Sequence, residues 1–258
     1  MRRPLQITLL VLSGLGLLRI ALFSDLYLRY VKEGMRPLLI ASGAVLILLG
    51  VADAVSYGRR HGAKGHTDHG DEGHTHHHGD GGHGHDHSGG PRAAWLLLVP
   101  AVSLLLYAPP ALGAYTASRE PSRPAVTPRH DFDPLPAASL LPITLTDFAL
   151  RVRQDRTRAI SGRTVQLSGF VTAGKRSDSW FLTRIIISCC AADAQSVKLR
   201  IYGPAPRPDT WVAVTGTWHP AGSLGTESAA VALDARTVEE AAKPVNSYTD
   251  DLPLVPTR

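Results

Sequence analysis

In Thr164-Val165-Gln166-Leu167-Ser168-Gly169-Phe170-Val171 the apolar positions Val165, Leu167 and Val171 fall on every second residue, with Gly169 between them. That period suits a strand with one face buried. The same alternation returns where Val197, Leu199 and Ile201 interleave with Lys198, Arg200 and Tyr202. Trp180 to Ser188, Thr210 to Trp218 and Ala229 to Val238 read as three more strands. Turn-forming residues separate them at Ala173 to Asp178, Gly203 to Asp209 and Pro220 to Thr226. Five short strands in this space suggest a small closed sheet. Residues 143–245 are therefore expected to form an all-β domain, best matched by an OB-fold-like five-stranded barrel, with an SH3-like barrel or a short sandwich as look-alikes. Trp180, Phe181, Trp211 and Trp218 are expected in its core and at its rim rather than as a stacking platform.

Upstream, Thr146 and Asp147 are placed to cap a short helix through Phe148, Leu150 and Val152. Residues 118–142 carry Pro121, Pro124, Pro128, Pro134, Pro136 and Pro142, the composition of an extended, semi-rigid spacer. Before it the character changes again. Ile7 to Tyr27 and Pro37 to Val55 are almost uniformly apolar, and Ala93 to Tyr115 is similar but interrupted by Pro100, Pro109 and Pro110. Each is near the ~20 residues that a helix needs to cross a bilayer. A signal peptide also fits Arg2 and Arg3 ahead of an apolar run, but Arg19 and Asp25 interrupt the cleavage region and a second apolar segment follows closely.

The expected fold is thus membrane α, three N-terminal transmembrane helices, joined to an all-β C-terminal domain. Its parts are a helical hairpin (1–57), a His-rich disordered loop (58–92), a third transmembrane helix (93–117), the Pro-rich linker (118–142), the OB-like domain (143–245) and a tail (246–258). Arg19 and Asp53 sit at different heights in such a hairpin and would not meet. Three crossings in the cell membrane put the N-terminus and the His loop in the cytoplasm and the C-terminal domain outside, although the flanking basic residues pull both ways.

Ten of the twelve histidines lie in one stretch: His61, His66, His69, His74, His76, His77, His78, His83, His85 and His87. Around them are Gly, Asp68, Asp71, Glu72, Asp80 and Asp86, with almost nothing apolar, so this segment has no core to bury. Neutral imidazole suits zinc and its neighbours among the divalent transition metals. Glycine between the ligands allows many registers, which fits a buffer, sensor or metal-gathering antenna better than a rigid centre. The ligand is expected to be a divalent transition metal, with zinc first.

The two cysteines, Cys189 and Cys190, are adjacent, and with Asp193 they make a second candidate ligand set, to which His219 could add. The rival readings are small buried residues or thiol chemistry, which would require an accessible thiol of lowered pKa. No nucleophile elbow, phosphate-binding loop or His-Glu-x-x-His helix is present, so no enzymatic activity is expected. The net charge of +5 comes from scattered residues that often flank apolar stretches, and nucleic acid is not an expected partner.

The helix pair, the interrupting His-rich loop, the further apolar segment and a C-terminal domain with Phe181-Leu182-Thr183-Arg184 and Ile187-Ser188-Cys189-Cys190-Ala191-Ala192-Asp193 together resemble a bacterial family of membrane proteins described as permease subunits. The resemblance implies a multi-spanning permease as partner and a link to metal, chiefly zinc, homeostasis. It also implies functional weight for Cys189, Cys190 and Asp193. The expected function is a non-enzymatic membrane subunit that binds divalent metal and assists or regulates a permease. The alternative is a membrane-tethered OB-fold binding module for oligosaccharide, lipid or nucleic acid.

Overall fold

The computed structural model describes residues 2–62, 111–120, 131–174 and 178–252. Helix α1 (Arg2–Phe23) and helix α2 (Arg36–Gly62) form an antiparallel pair. Within this region Pro4–Phe23 and Glu33–Arg59, of 20 and 27 residues, are long and apolar enough to cross a membrane. Their large side chains face outward: Leu12 is 60 %, Leu48 67 % and Phe23 83 % exposed. Between the helices, small residues let the backbones meet. A Cβ on Gly14 would lie 2.7 Å from the carbonyl oxygen of Gly43. Asp53 accepts a 3.5 Å hydrogen bond from the amide of Gln6, near the start of α1, as its height in the hairpin requires.

Helix α1 stops at Phe23, short of the expected Tyr27. Ser24 turns its hydroxyl back to the Ile20 carbonyl at 3.0 Å, and the chain enters a 3-10 turn at Leu26–Arg29. Tyr27 and Leu28 are buried in that turn. The last turn of α1 has no basic residue, and Arg36 supplies one from the start of α2, its Nε donating to the Ala21 carbonyl at 2.8 Å. Pro37 sits in the first turn of α2, where its missing N–H costs no helical bond.

Of the third expected span, residues 93–110 lie outside the described residues. The end of that stretch belongs to the C-terminal domain: helix α3 (Ala114–Arg119) buries Ala114 and Ala117 against Phe170, Trp211 and Tyr248. Its first turn is tied down by Asp209, whose carboxylate accepts the Ala114 N–H at 2.6 Å.

The domain begins with β1 (Leu141–Pro142) and α4 (Leu145–Gln154), followed by β2 (Val165–Thr172), β3 (Ser179–Ile186), β4 (Gln195–Tyr202), β5 (Trp211–Trp218) and β6 (Ala232–Glu240). They make one six-stranded sheet in the order β1-β2-β3-β4-β6-β5, and β2 also pairs with β5. The β4–β6 and β1–β2 pairs are parallel, the others antiparallel. Five of these strands match the alternating stretches. The sixth, Leu141–Pro142, lies in the stretch that reads as linker, because two residues carry no period to read. At the break in register between Thr215 and Gly216 only glycine fits, since a Cβ there would lie 2.3 Å from the Asp234 carbonyl.

The core joins Trp180, Leu182, Leu199, Ile201 and Leu233 from the sheet to Phe148 and Val152 of α4. Helix α4 starts earlier than expected, because Thr144 is its cap: the threonine side chain accepts the Asp147 N–H at 3.1 Å. Asp250 completes the job from the far end of the chain, accepting the N–H groups of Leu145 and Thr146 at 3.2 and 2.6 Å. Of the stretch 246–258 expected as a tail, residues 247–250 are thus packed against the domain, with Ser247 and Tyr248 buried.

Candidate functional site

Strand β3 delivers the chain to Ser188-Cys189-Cys190, and a 3-10 turn at Ala191–Asp193 returns it to β4. Asp193 closes this loop on itself. One carboxylate oxygen accepts the Ser188 N–H at 2.9 Å and the other the Cys189 N–H at 2.7 Å. The hydrogen bond from the Cys189 thiol to Asp193, reinforced by the neighbouring Cys190, pushes the Cys189 pKa up to about 11. The same bond holds the Asp193 carboxyl below its ordinary value. Cys189 is exposed and Cys190 partly so.

The loop docks on the connector between α1 and α2 through backbone groups. Val31 and Cys190 form an antiparallel bridge; the Ala191 N–H donates to the Tyr30 carbonyl at 2.7 Å and the Lys32 N–H to the Cys189 carbonyl at 3.1 Å. Alongside, the Asn246 amide reaches Glu33 at 3.4 Å. The two cysteines therefore sit at the joint between the helical hairpin and the β domain. Sequence reasoning missed Tyr30, Val31 and Lys32, because backbone pairing leaves no signature in side-chain type.

This arrangement is not a closed zinc site. Tetrahedral zinc takes four ligands, whereas the loop offers two thiols and a carboxylate already satisfied by two amides and a thiol. Among the described residues no three His, Cys, Asp or Glu side chains are grouped to hold a metal ion. His219 does not join the cysteines. It pairs with Asp234 at 2.7 Å and lies on the Tyr202 ring at 4.3 Å. Tyr202 ends the strand that begins beside the loop, about seven residues of ~3.3 Å away. A thiol pKa raised rather than lowered also speaks against an activated cysteine. Of the loop histidines, His61 falls in the last turn of α2, and His66, His69, His74, His76, His77, His78, His83, His85 and His87 lie outside the described residues.

Arg184 is a second centre. It is 1 % exposed, with Nε donating to the Ser168 carbonyl at 3.0 Å and Nη2 to the Ser168 hydroxyl at 3.1 Å and the Asp251 carbonyl at 3.2 Å. Its guanidinium lies 4.9 Å over the Trp211 ring and 4.0 Å from Asp250. Burial lowers its pKa, and Asp250 and Asp251 oppose that shift. Arg184 thereby ties the end of the chain to the sheet. The signal for it was visible: a charge in the middle of an apolar strand.

Residues 149–249 match the family model described as DUF1980 C-terminal domain. No curated protein and no solved structure matches the chain. The matched stretch runs from within α4 through β6 to Thr249, and so takes in the cysteine loop, Arg184 and Tyr248; what the chain is similar to is this domain, with α1 and α2 outside it.

Proposed function

We propose that this chain is a non-enzymatic, multi-pass membrane subunit that binds divalent metal, zinc first, through its histidine loop and assists or regulates a partner permease. The observation that carries the metal reading is the run of ten histidines between His61 and His87, and its topology rests on the docking of the Cys189-Cys190 loop on residues 30–32. If α1 and α2 span the bilayer, their connector and the β domain share one side, while the chain leaving α2 at Gly62 starts on the other. It must then cross once more before Ala114, which the apolar stretch 93–110 is suited to do. The histidines would face one compartment and the β domain the opposite one. In this reading the loop gathers metal from the first, and the hairpin holds the β domain at a fixed place on the second, where a permease partner would meet it.

The C-terminal domain is in this reading an OB-type barrel. The return of pairing to β2, which bonds both β3 and β5, supports it.

Isothermal titration of zinc into the full chain in detergent, compared with a variant lacking residues 61–87, tests the central claim. The expected result is loss of most bound zinc in the deletion. Equal stoichiometry in both proteins would remove the histidines from the function.

A further inference from the structure

Between α4 and the strands β3, β4 and β6 lies an open cleft of about 270 Å³. Its construction follows from strand register. Lys198, Arg200 and Tyr202 alternate outward along β4, and Phe181 of β3 stands directly opposite Arg200. On the other side β6 runs parallel, and Ala232 lies opposite Arg200. An alanine there, with Ala230 and Ala149 of α4, leaves a shallow floor where larger side chains would have filled the space. Arg153, one helical turn after Ala149, adds a third cation to the rim.

Among the described residues no carboxylate lines this cleft. The nearby acids are loosely engaged or turned elsewhere. Glu227, 78 % exposed, is 3.8 Å from Arg153, and the Glu120 carboxylate accepts the Ser196 hydroxyl at 2.9 Å while its backbone carbonyl takes the Lys198 ammonium. The Nε of Arg153 is buried without a hydrogen-bond partner. The Arg200 guanidinium rests over the Phe181 ring at 5.6 Å. Burial lowers the Lys198 pKa more than Glu120 restores it, so an incoming anion would be welcomed there.

We infer that this cleft binds a small phosphate ester carried on a ring, a nucleotide or sugar phosphate, with Arg153, Lys198 and Arg200 on the phosphate and the ring laid across the alanine floor beside Phe181. Three cations lining one cavity suit a compact anion, whereas a nucleic acid strand needs a charged track along the surface. The volume, just below the roughly 300–1,000 Å³ of typical small-molecule sites, sets the size limit. This inference is independent of metal binding at the histidines.

The test is titration of the full chain in detergent with AMP, glucose 1-phosphate, inorganic phosphate and a short single-stranded oligonucleotide, followed by calorimetry and phosphorus NMR. At least one of the two ring esters is expected to bind more tightly than inorganic phosphate, and which one does identifies the source. Arg200→Gln and Lys198→Gln should each weaken it about tenfold. Both side chains are at least partly exposed, so these variants should fold, as circular dichroism would verify. Glu227→Gln, which frees Arg153, should tighten binding roughly twofold. No binding of either ester at millimolar concentration, binding unchanged in all three variants, or inorganic phosphate binding as well as the esters would overturn the assignment. So would an oligonucleotide that binds far more tightly than AMP, since the site would then read a polymer.

Discussion

Cys189 is exposed yet chemically quiet, and the largest cause is its neighbour Asp193, with Cys190 adding to it. Asp193 accepts both its N–H and its thiol, which raises the thiol from an ordinary 9.0 to about 11. At about pH 8 that leaves roughly a hundredfold less thiolate than in a free cysteine of this type. In a Cys190→Ser background, Asp193→Asn should therefore speed alkylation of Cys189 by iodoacetamide about 10- to 100-fold. An unchanged rate would mean that the carboxylate does not control the thiol. Arg184 makes the complementary point. A buried guanidinium is costly unless its donors are matched; here Ser168 of the sheet and the Asp251 carbonyl take Nε and Nη2 and Asp250 lies 4.0 Å away, while Nη1 is buried without a hydrogen-bond partner.

At the scale of elements, the joint between hairpin and domain is a strand-like pairing between two connectors. Lys32 has φ −60° and ψ 144°, angles that proline adopts without strain. Lys32→Pro should thus remove the single N–H that reaches the Cys189 carbonyl and leave the fold of each partner intact. Hydrogen exchange at the Ala191 amide, which bonds Tyr30, is expected to accelerate about tenfold, while exchange in β2 and β5 stays unchanged. Acceleration throughout the sheet would show instead that the domain needs the hairpin to stay folded. Helix α4 shows the same economy on a smaller scale: Thr144 caps it from its own strand of chain and Asp250 from a hundred residues away.

For the whole molecule, the contacts of residues 30–33 with 189–191 and Asn246 fix the topology that the proposed membrane function requires. In a protein with Cys189 and Cys190 replaced by serine, cysteines introduced at Glu33 and Val245 should react with an impermeant maleimide from one side of sealed vesicles. A cysteine at Arg59 should react only from the other. Arg59 and Val245 labelled from the same side would remove the third crossing, and with it the separation of the histidine loop from the β domain.

Much of the architecture was readable from residues 164–238 and 7–55, because burial imposes a period of two on half-buried strands and continuous apolarity on helices that have no polar face. The candidate metal ligands were likewise legible as composition, in ten histidines and two adjacent cysteines. Folding decided the rest. Pairing of Val31 with Cys190 runs through N–H and C=O groups that every residue carries, so nothing in Tyr30-Val31-Lys32 announces it. The cationic cleft depends on which strands become neighbours: Arg200 and Ala232 are distant in sequence and adjacent only because β4 and β6 pair in parallel. Side-chain pattern reports what each segment buries; which segments meet is settled by strand order and register, and those exist only in the folded chain.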